Sequence, residues 1–153
     1  MAKPNRALQP LPGPADIDAA CRSLTALKDQ LTRLVRSGGG EPTAAVLSAW
    51  SDDCPDAVLI CTPRAEIRAV NGAAARLTGY STRDLQRLTV WDLTHGSSQA
   101  HFDVLWREFL RAGRQRGTYT LRHRDGHSIE AAYCAEAKLV GALNVAVMRK
   151  PVA

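Results

Sequence analysis

The chain has 153 residues, of which 45% are hydrophobic and 5% aromatic, with a formal net charge of +5. That length builds one ordinary domain with a real core, the hydrophobic share is too high for a disordered chain, and no apolar run approaches the roughly 20 residues that span a bilayer. The positive charge raises nucleic-acid binding as a class, but bases and acids alternate over most of the chain. The densest basic run is "RAGRQRGTYTLRHRD", residues 111–125, with no helix-turn-helix or Cys/His finger and few aromatic residues for stacking on bases. A solvated basic face is the simpler reading.

The first residues, "MAKPNRALQPLPGPAD", lack the apolar segment of a secretory signal, so a cytoplasmic location is expected. Residues 1–14 carry four prolines and no periodicity and read as a flexible tail. A helix over residues 15–37 is expected to begin at Asp16 as N-cap, with Asp18 in its first turn. Ile17, Ala20, Leu24, Leu27, Leu31 and Leu34 follow heptad a/d spacing. Such a stripe either lies on its own domain's core or meets a second helix. Its narrowness, and the glycines at 38–41 that separate it from the rest as a linker, favour a dimerisation helix built on Ile17, Leu24, Leu27, Leu31 and Leu34. A homodimer is the expected assembly.

The unit from 42 to 150 opens with a short helix, "PTAAVLSAW", with Pro42 in its first turn. "DAVLICT" and "IRAV" read as a hairpin, and residues 72–78 as a two-turn helix stopped by Gly79. Ser81 or Thr82 caps another short helix, and "VWDLT" adds one more turn. "SSQAHFDVLWREFLRAG" reads as a single long amphipathic helix with Phe102, Leu105, Trp106, Phe109 and Leu110 on its apolar side. "GTYTLRHR", "SIEAAYCAEAKL" and "ALNVAVMRK" are strands, the first two joined by an Asp125-Gly126 turn. Strands at both ends with helices between them predict an α+β domain. Its antiparallel sheet carries the helical segment on one face, and the N-terminal helices are available to cover the other.

This order, with these residues, resembles a PAS (Per-Arnt-Sim) domain over about residues 55–149. The pieces that carry the resemblance are the Pro-Asp ahead of the first strand, Asn71 and Ala74 at the start of the short helix, Gly79-Tyr80-Ser81, Asp92-Leu93-Thr94-His95, and the basic-Asp125-Gly126 hairpin. The resemblance implies a five-stranded antiparallel sheet and a sensory or interaction role. It also implies a ligand pocket between sheet and helices, with Asn71 structural rather than catalytic. Two departures stand out: Gly96-Ser97-Ser98-Gln99 replaces the family's polar run, and "RKPVA" replaces its usual exit into an effector helix. The expected mode of action is therefore on a signalling partner protein in trans.

His101 is the candidate metal ligand. It stands where the haem-binding oxygen-sensor members of the family carry their axial His, and an imidazole on the inner face of that helix would reach a haem iron. Leu105, Trp106 and Tyr119 complete the candidate cofactor-binding set, although aromatic residues in such places more often serve packing. The competing reading puts His101 on the helix's wet edge. The family's photosensory members place a reactive Cys ahead of this helix, where "LQRLTVWDLT" has none, which argues against flavin. Cys21, Cys54, Cys61 and Cys134 form no CxxC pair and read as reduced core thiols. His123 and His127 flank the Asp125-Gly126 turn and share no helix face, which argues against a metal site there. No nucleophile–base arrangement or phosphate loop is present, so no enzymatic activity is expected.

Overall fold

The computed structural model of the chain describes residues 11–37 and 42–151, except for the side chains of 34–37 and 97–98. Most of the expected tail and the 38–41 linker lie outside the described residues. Two N-terminal helices come first, α1 (Pro14–Ser37) and α2 (Ala44–Ser51), then strands β1 (Ala57–Cys61) and β2 (Ile67–Val70). The middle is helical: α3 (Gly72–Thr78), α4 (Thr82–Leu85), a 3-10 turn (Trp91–Leu93), α5 (Ser97–Ala100) and α6 (Phe102–Ala112). Strands β3 (Arg114–Arg122), β4 (Ser128–Val140) and β5 (Leu143–Arg149) close the domain. All strands join one antiparallel sheet in the order β2-β1-β5-β4-β3. This is the α+β architecture that the segregation of strands and helices predicts.

Helix α1 starts two residues before the expected Asp16 cap. Pro14 takes the first helical turn, where its missing N–H costs nothing, and Asp16 reaches back to accept from the Gly13 N–H at 2.9 Å. The expected single long helix is broken. His101 leaves helical geometry (φ −108°, ψ 13°) and separates α5 from α6. The residues of the apolar stripe, Phe102 to Leu110, all lie after this break, and no Gly or Pro marks it, which is why the sequence pattern does not reveal it.

Alternation along the strands gives the sheet two apolar faces. Val58, Ile60, Cys134, Val145 and Val147 point outward and are covered by α1, whose Leu24, Leu27 and Leu31 are 1%, 3% and 3% exposed. Ile17 is partly buried against the same cluster, and the side chain of Leu34 lies outside the described residues. This corrects the dimerisation reading of the stripe: it is buried on the chain's own sheet. The outward face is itself apolar, and each leucine buried there contributes about 1.5–3 kcal/mol without a second chain. Lys28 Nζ to Glu136 at 2.7 Å and Arg116 to Asp18 at 3.5 Å tie the helix to β4 and to the edge strand β3.

On the inner face, α3 is fixed by Asn71. Its Oδ1 accepts from the N–H groups of Val58 (2.9 Å) and Ala74 (3.0 Å), and its Nδ2 donates to the carbonyls of Ser51 (2.9 Å) and Asp56 (2.8 Å). One buried carboxamide thus caps α3 and fastens it to β1 and to the end of α2. Gly79 ends α3 in the left-handed region (φ 79°), and a Cβ there would stand 2.4 Å from the His123 ring, so no other residue fits without displacement.

Two stability tests follow from this architecture. Leu27→Ala should lower unfolding stability in urea by roughly 2–4 kcal/mol, because it opens a cavity under α1. Asn71→Ala strands two buried N–H groups and two carbonyls. It should cost roughly 3 kcal/mol and lower the melting temperature by about 6–12 °C.

Candidate functional site

Between the inner face of the sheet and α6 lies a cavity of about 60 Å³. Its roof is aromatic. Phe102, Trp106 and Phe109 follow one another along one side of α6, with ring centroids 5.7 Å (Phe102–Trp106) and 5.4 Å (Trp106–Phe109) apart. The Trp106 indole N–H donates to the Pro63 carbonyl at 2.8 Å, which ties the roof to the β1–β2 turn. The floor is the inward side of the strands: Leu59 and Cys61 from β1, Tyr119 from β3, Tyr133 from β4, Ala146 and Met148 from β5. Tyr119 and Tyr133 meet edge to face at 5.7 Å.

Most polar atoms around the cavity already have partners. Thr94 Oγ1 donates to the Val90 carbonyl (2.8 Å), so the Tyr119 hydroxyl donates to Thr94 Oγ1 (2.8 Å). Asn144 accepts from the Lys138 N–H and donates to the Thr62 carbonyl. The Tyr133 hydroxyl donates to Gln115 Oε1 at 3.0 Å, and Gln115 Nε2 has no hydrogen-bond partner among the described residues. The cavity is therefore an apolar space with one spare donor at its edge.

Burial keeps its acidic groups protonated. Tyr119 is shifted upward by burial, partly offset by Thr94, and Tyr133 is pushed up to about 12 by burial and by the neighbouring Tyr119 and Cys134. Burial pushes the Cys61 thiol from 9.0 up to about 12, against a smaller opposing effect of the Asn144 hydrogen bond. The cavity can hold a neutral molecule but offers no charge to pair with an ionic one.

Of the residues proposed from the sequence, Leu105, Trp106 and Tyr119 line this space. His101 does not. It is exposed at the N-cap of α6, makes no capping hydrogen bond with its side chain, and does not line the cavity. The break between α5 and α6 is what removes it from the inner face. Haem does not fit this site: the space is far smaller than a porphyrin, no lining imidazole offers an axial nitrogen, and Cys61 is held as a thiol rather than a ligating thiolate. Tyr133, Gln115, Cys61 and Met148 were not singled out as site residues; the period-2 alternation of β4 and β5 was the available signal, since it puts Tyr133 and Met148 on one face. His95 holds its segment to β3 through its backbone N–H on the Thr120 carbonyl at 3.0 Å. The Asp125-Gly126 turn brings His123 and His127 together across the hairpin, with rings stacked 4.4 Å apart.

A sequence model described as "PAS domain" matches residues 52–113, from the end of α2 to the end of α6. The fold matches a PAS domain from Colwellia psychrerythraea with a TM-score of 0.60 at 18% identity, covering 70% of this chain and 96% of that one. The chain has the PAS fold, and residues 52–113 match the PAS domain in sequence. A domain of a sensory box sensor histidine kinase/response regulator from Geobacter sulfurreducens matches with a TM-score of 0.58 at 18% identity, over 69% of this chain and 92% of that one. A PAS domain from a LuxR-family transcriptional regulator of Burkholderia thailandensis, solved in complex with ethanol, matches with a TM-score of 0.55 at 15% identity, over 67% and 94%. At these identities the likeness is one of fold. Among curated proteins, none matches the chain in sequence. No described helix is long and apolar enough to cross a membrane.

The buried thiols of this PAS domain give a pH test. Cys61 is protonated in the folded state up to about pH 12, whereas an unfolded thiol ionises near 9.0. Its contribution to stability is complete below pH 9 and is lost as pH rises from about 9 toward 12. The melting temperature should fall over that range, and Cys61→Ala should make the fall shallower. All four cysteines are buried, so a thiol reagent at pH 7.5 should react with them only after denaturation.

Proposed function

We propose that this PAS domain is a sensor for a small, neutral, mostly apolar molecule with one hydrogen-bond acceptor. The observation that carries the reading is the cavity under α6. A volume of about 60 Å³ corresponds to roughly four to six water-sized positions, the size of a short alcohol or ketone. Its walls are aromatic and aliphatic, and Gln115 Nε2 would receive the ligand's oxygen. The ethanol complex of the B. thailandensis domain supports this size class.

The route to an output runs through the sheet. In β5, Ala146 and Met148 face the cavity while Val145 and Val147 face α1. A ligand that reshapes the inner side of β5 therefore biases how the leucine stripe of α1 seats on the outer side, and shifts the population between two packings. The altered α1 surface is what a partner protein would read. This role is one of binding and includes no reaction.

Thermal shift with ethanol, 1-propanol, 1-butanol and acetone tests the reading. A ligand present at ten times its Kd adds about 1.4 kcal/mol, which raises the melting temperature by roughly 3–6 °C. Ala146→Val, which narrows the cavity, should abolish that rise, and Gln115→Leu should reduce it. If no member of the panel protects the wild-type domain, the ligand reading fails, and a ligand-free protein-interaction module takes its place.

A further inference from the structure

The tip of the β3–β4 hairpin carries a second constellation, in the stretch "HRDGH", residues 123–127. The Asp125-Gly126 turn folds these five residues back on themselves: the His123 N–H donates to the His127 carbonyl at 2.8 Å, and the Gly126 N–H donates to the His123 carbonyl at 2.9 Å. Residues four apart across this three-residue turn are therefore direct neighbours. Both imidazoles aim Nδ1 at the same Asp125 carboxylate oxygen. His123 Nδ1 stands 3.2 Å from it, and His127 Nδ1 is hydrogen-bonded to it. One ligand atom from each of the three side chains lies within 4.8 Å of the others.

We propose that His123, Asp125 and His127 form a binding site for a divalent transition-metal ion of the zinc, cobalt, nickel or copper class. Two imidazole nitrogens and one carboxylate oxygen are a donor set that this class prefers over calcium or magnesium, which take oxygen ligands. At metal–ligand distances of about 2.0–2.2 Å, adjacent donors of a tetrahedral ion stand about 3.4 Å apart, so His123 Nδ1, 3.2 Å from the Asp125 oxygen, is near that spacing, and His127 Nδ1 must draw back from the oxygen to admit the ion. The ion takes the place of the proton now held between His127 Nδ1 and Asp125, and solvent fills its open side.

The site is pre-organised. The Asp125 N–H donates to His123 Nδ1 at 3.2 Å, which keeps that nitrogen in its unprotonated form; the ion would take over this lone pair from the N–H. The His123 ring packs against Gly79 at the end of α3 through Cε1 and its two nitrogens, and the Arg124 N–H donates to the Thr78 carbonyl at 2.9 Å, which holds the hairpin tip to α3. Asp125 Oδ1 also accepts from the His127 N–H at 3.0 Å, which fixes the carboxylate. Two arginines, Arg122 and Arg124, flank the cluster in the chain. Arg122 is turned away, with Nη2 on the Asp92 carbonyl at 3.0 Å, and Arg124 is exposed to solvent, where screening weakens its opposition. The remaining histidines, His95 and His101, are not part of this cluster.

The test uses the whole chain, stripped of metal by a chelator, and Zn2+ as the probe. Calorimetry should show one-to-one binding, and Zn2+ should raise the melting temperature. His127→Ala and Asp125→Asn should each weaken binding by at least about tenfold. His127 is half exposed and makes no contact with α3 like that of His123, so the His127→Ala protein in chelator should melt close to the wild type. A second measurement needs no variant: bound Co2+ should broaden the NMR signals of residues 122–128 and of Gly79, and leave those of α1 and the cavity floor unchanged. Zn2+ bound equally well by wild type and His127→Ala, Co2+ broadening centred elsewhere, or no one-to-one binding at micromolar to millimolar Zn2+ would each overturn the proposal.

Discussion

Backbone groups of Ser51, Asp56, Val58 and Ala74 meet on the carboxamide of Asn71. The end of α2, the loop ahead of β1, the start of β1 and the first turn of α3 each present one backbone group to it. A carboxamide is the only neutral side-chain head that offers two acceptor directions and two donors in one plane, and here all are engaged. Without that node the chain leaving β2 would have no fixed angle, and α3 would not be held where Gly79 can touch the hairpin tip. Apolar burial holds both layers, and this polar contact fixes how the inner one is attached.

The sheet works as a shared wall. Neighbouring residues of one strand belong to different cores: Val58 and Ile60 to the α1 side, Leu59 and Cys61 to the α6 side. Because protein interiors are close-packed, displacing one set of side chains is felt by the other through a backbone that both use. This is why a cavity under α6 and a helix on the far face can be coupled without touching. It also explains why the α1 stripe reads like half of a coiled coil: a helix seated on a flat apolar sheet needs much the same narrow apolar seam as one seated on another helix.

What the sequence revealed follows from how local each signal is. α3 is legible to the residue, because its start and stop depend on Asn71 and Gly79 alone. The Asp125-Gly126 turn is equally plain. The break at His101 is not, since no Gly or Pro marks it and the short polar turn before it carries no apolar pattern that could fall out of phase. The destination of the α1 stripe was ambiguous because an apolar face does not encode what covers it. The cavity floor needed the strand register, and the irregular pairing between Glu136 and Val140 shifts that register beyond what alternation alone gives. His123 and His127 were set aside by a helix-face criterion that does not apply across a hairpin, where cross-strand pairing decides which side chains meet.

The order of the strands has a further consequence, for how the domain comes into being. β1, near the beginning of the domain, lies in the centre of the sheet beside β5, the last strand, with Ala57 paired to Met148. The two central strands therefore cannot meet until nearly the whole domain has been synthesised, and local hairpins cannot substitute for them. Such long-range pairing makes for slow, all-or-none closure. Until β5 arrives, β1 holds an open edge and two apolar faces, the condition in which strands from different chains pair wrongly. On the ribosome this domain is exposed to aggregation over almost its entire length, and its last strand is the one that ends the exposure.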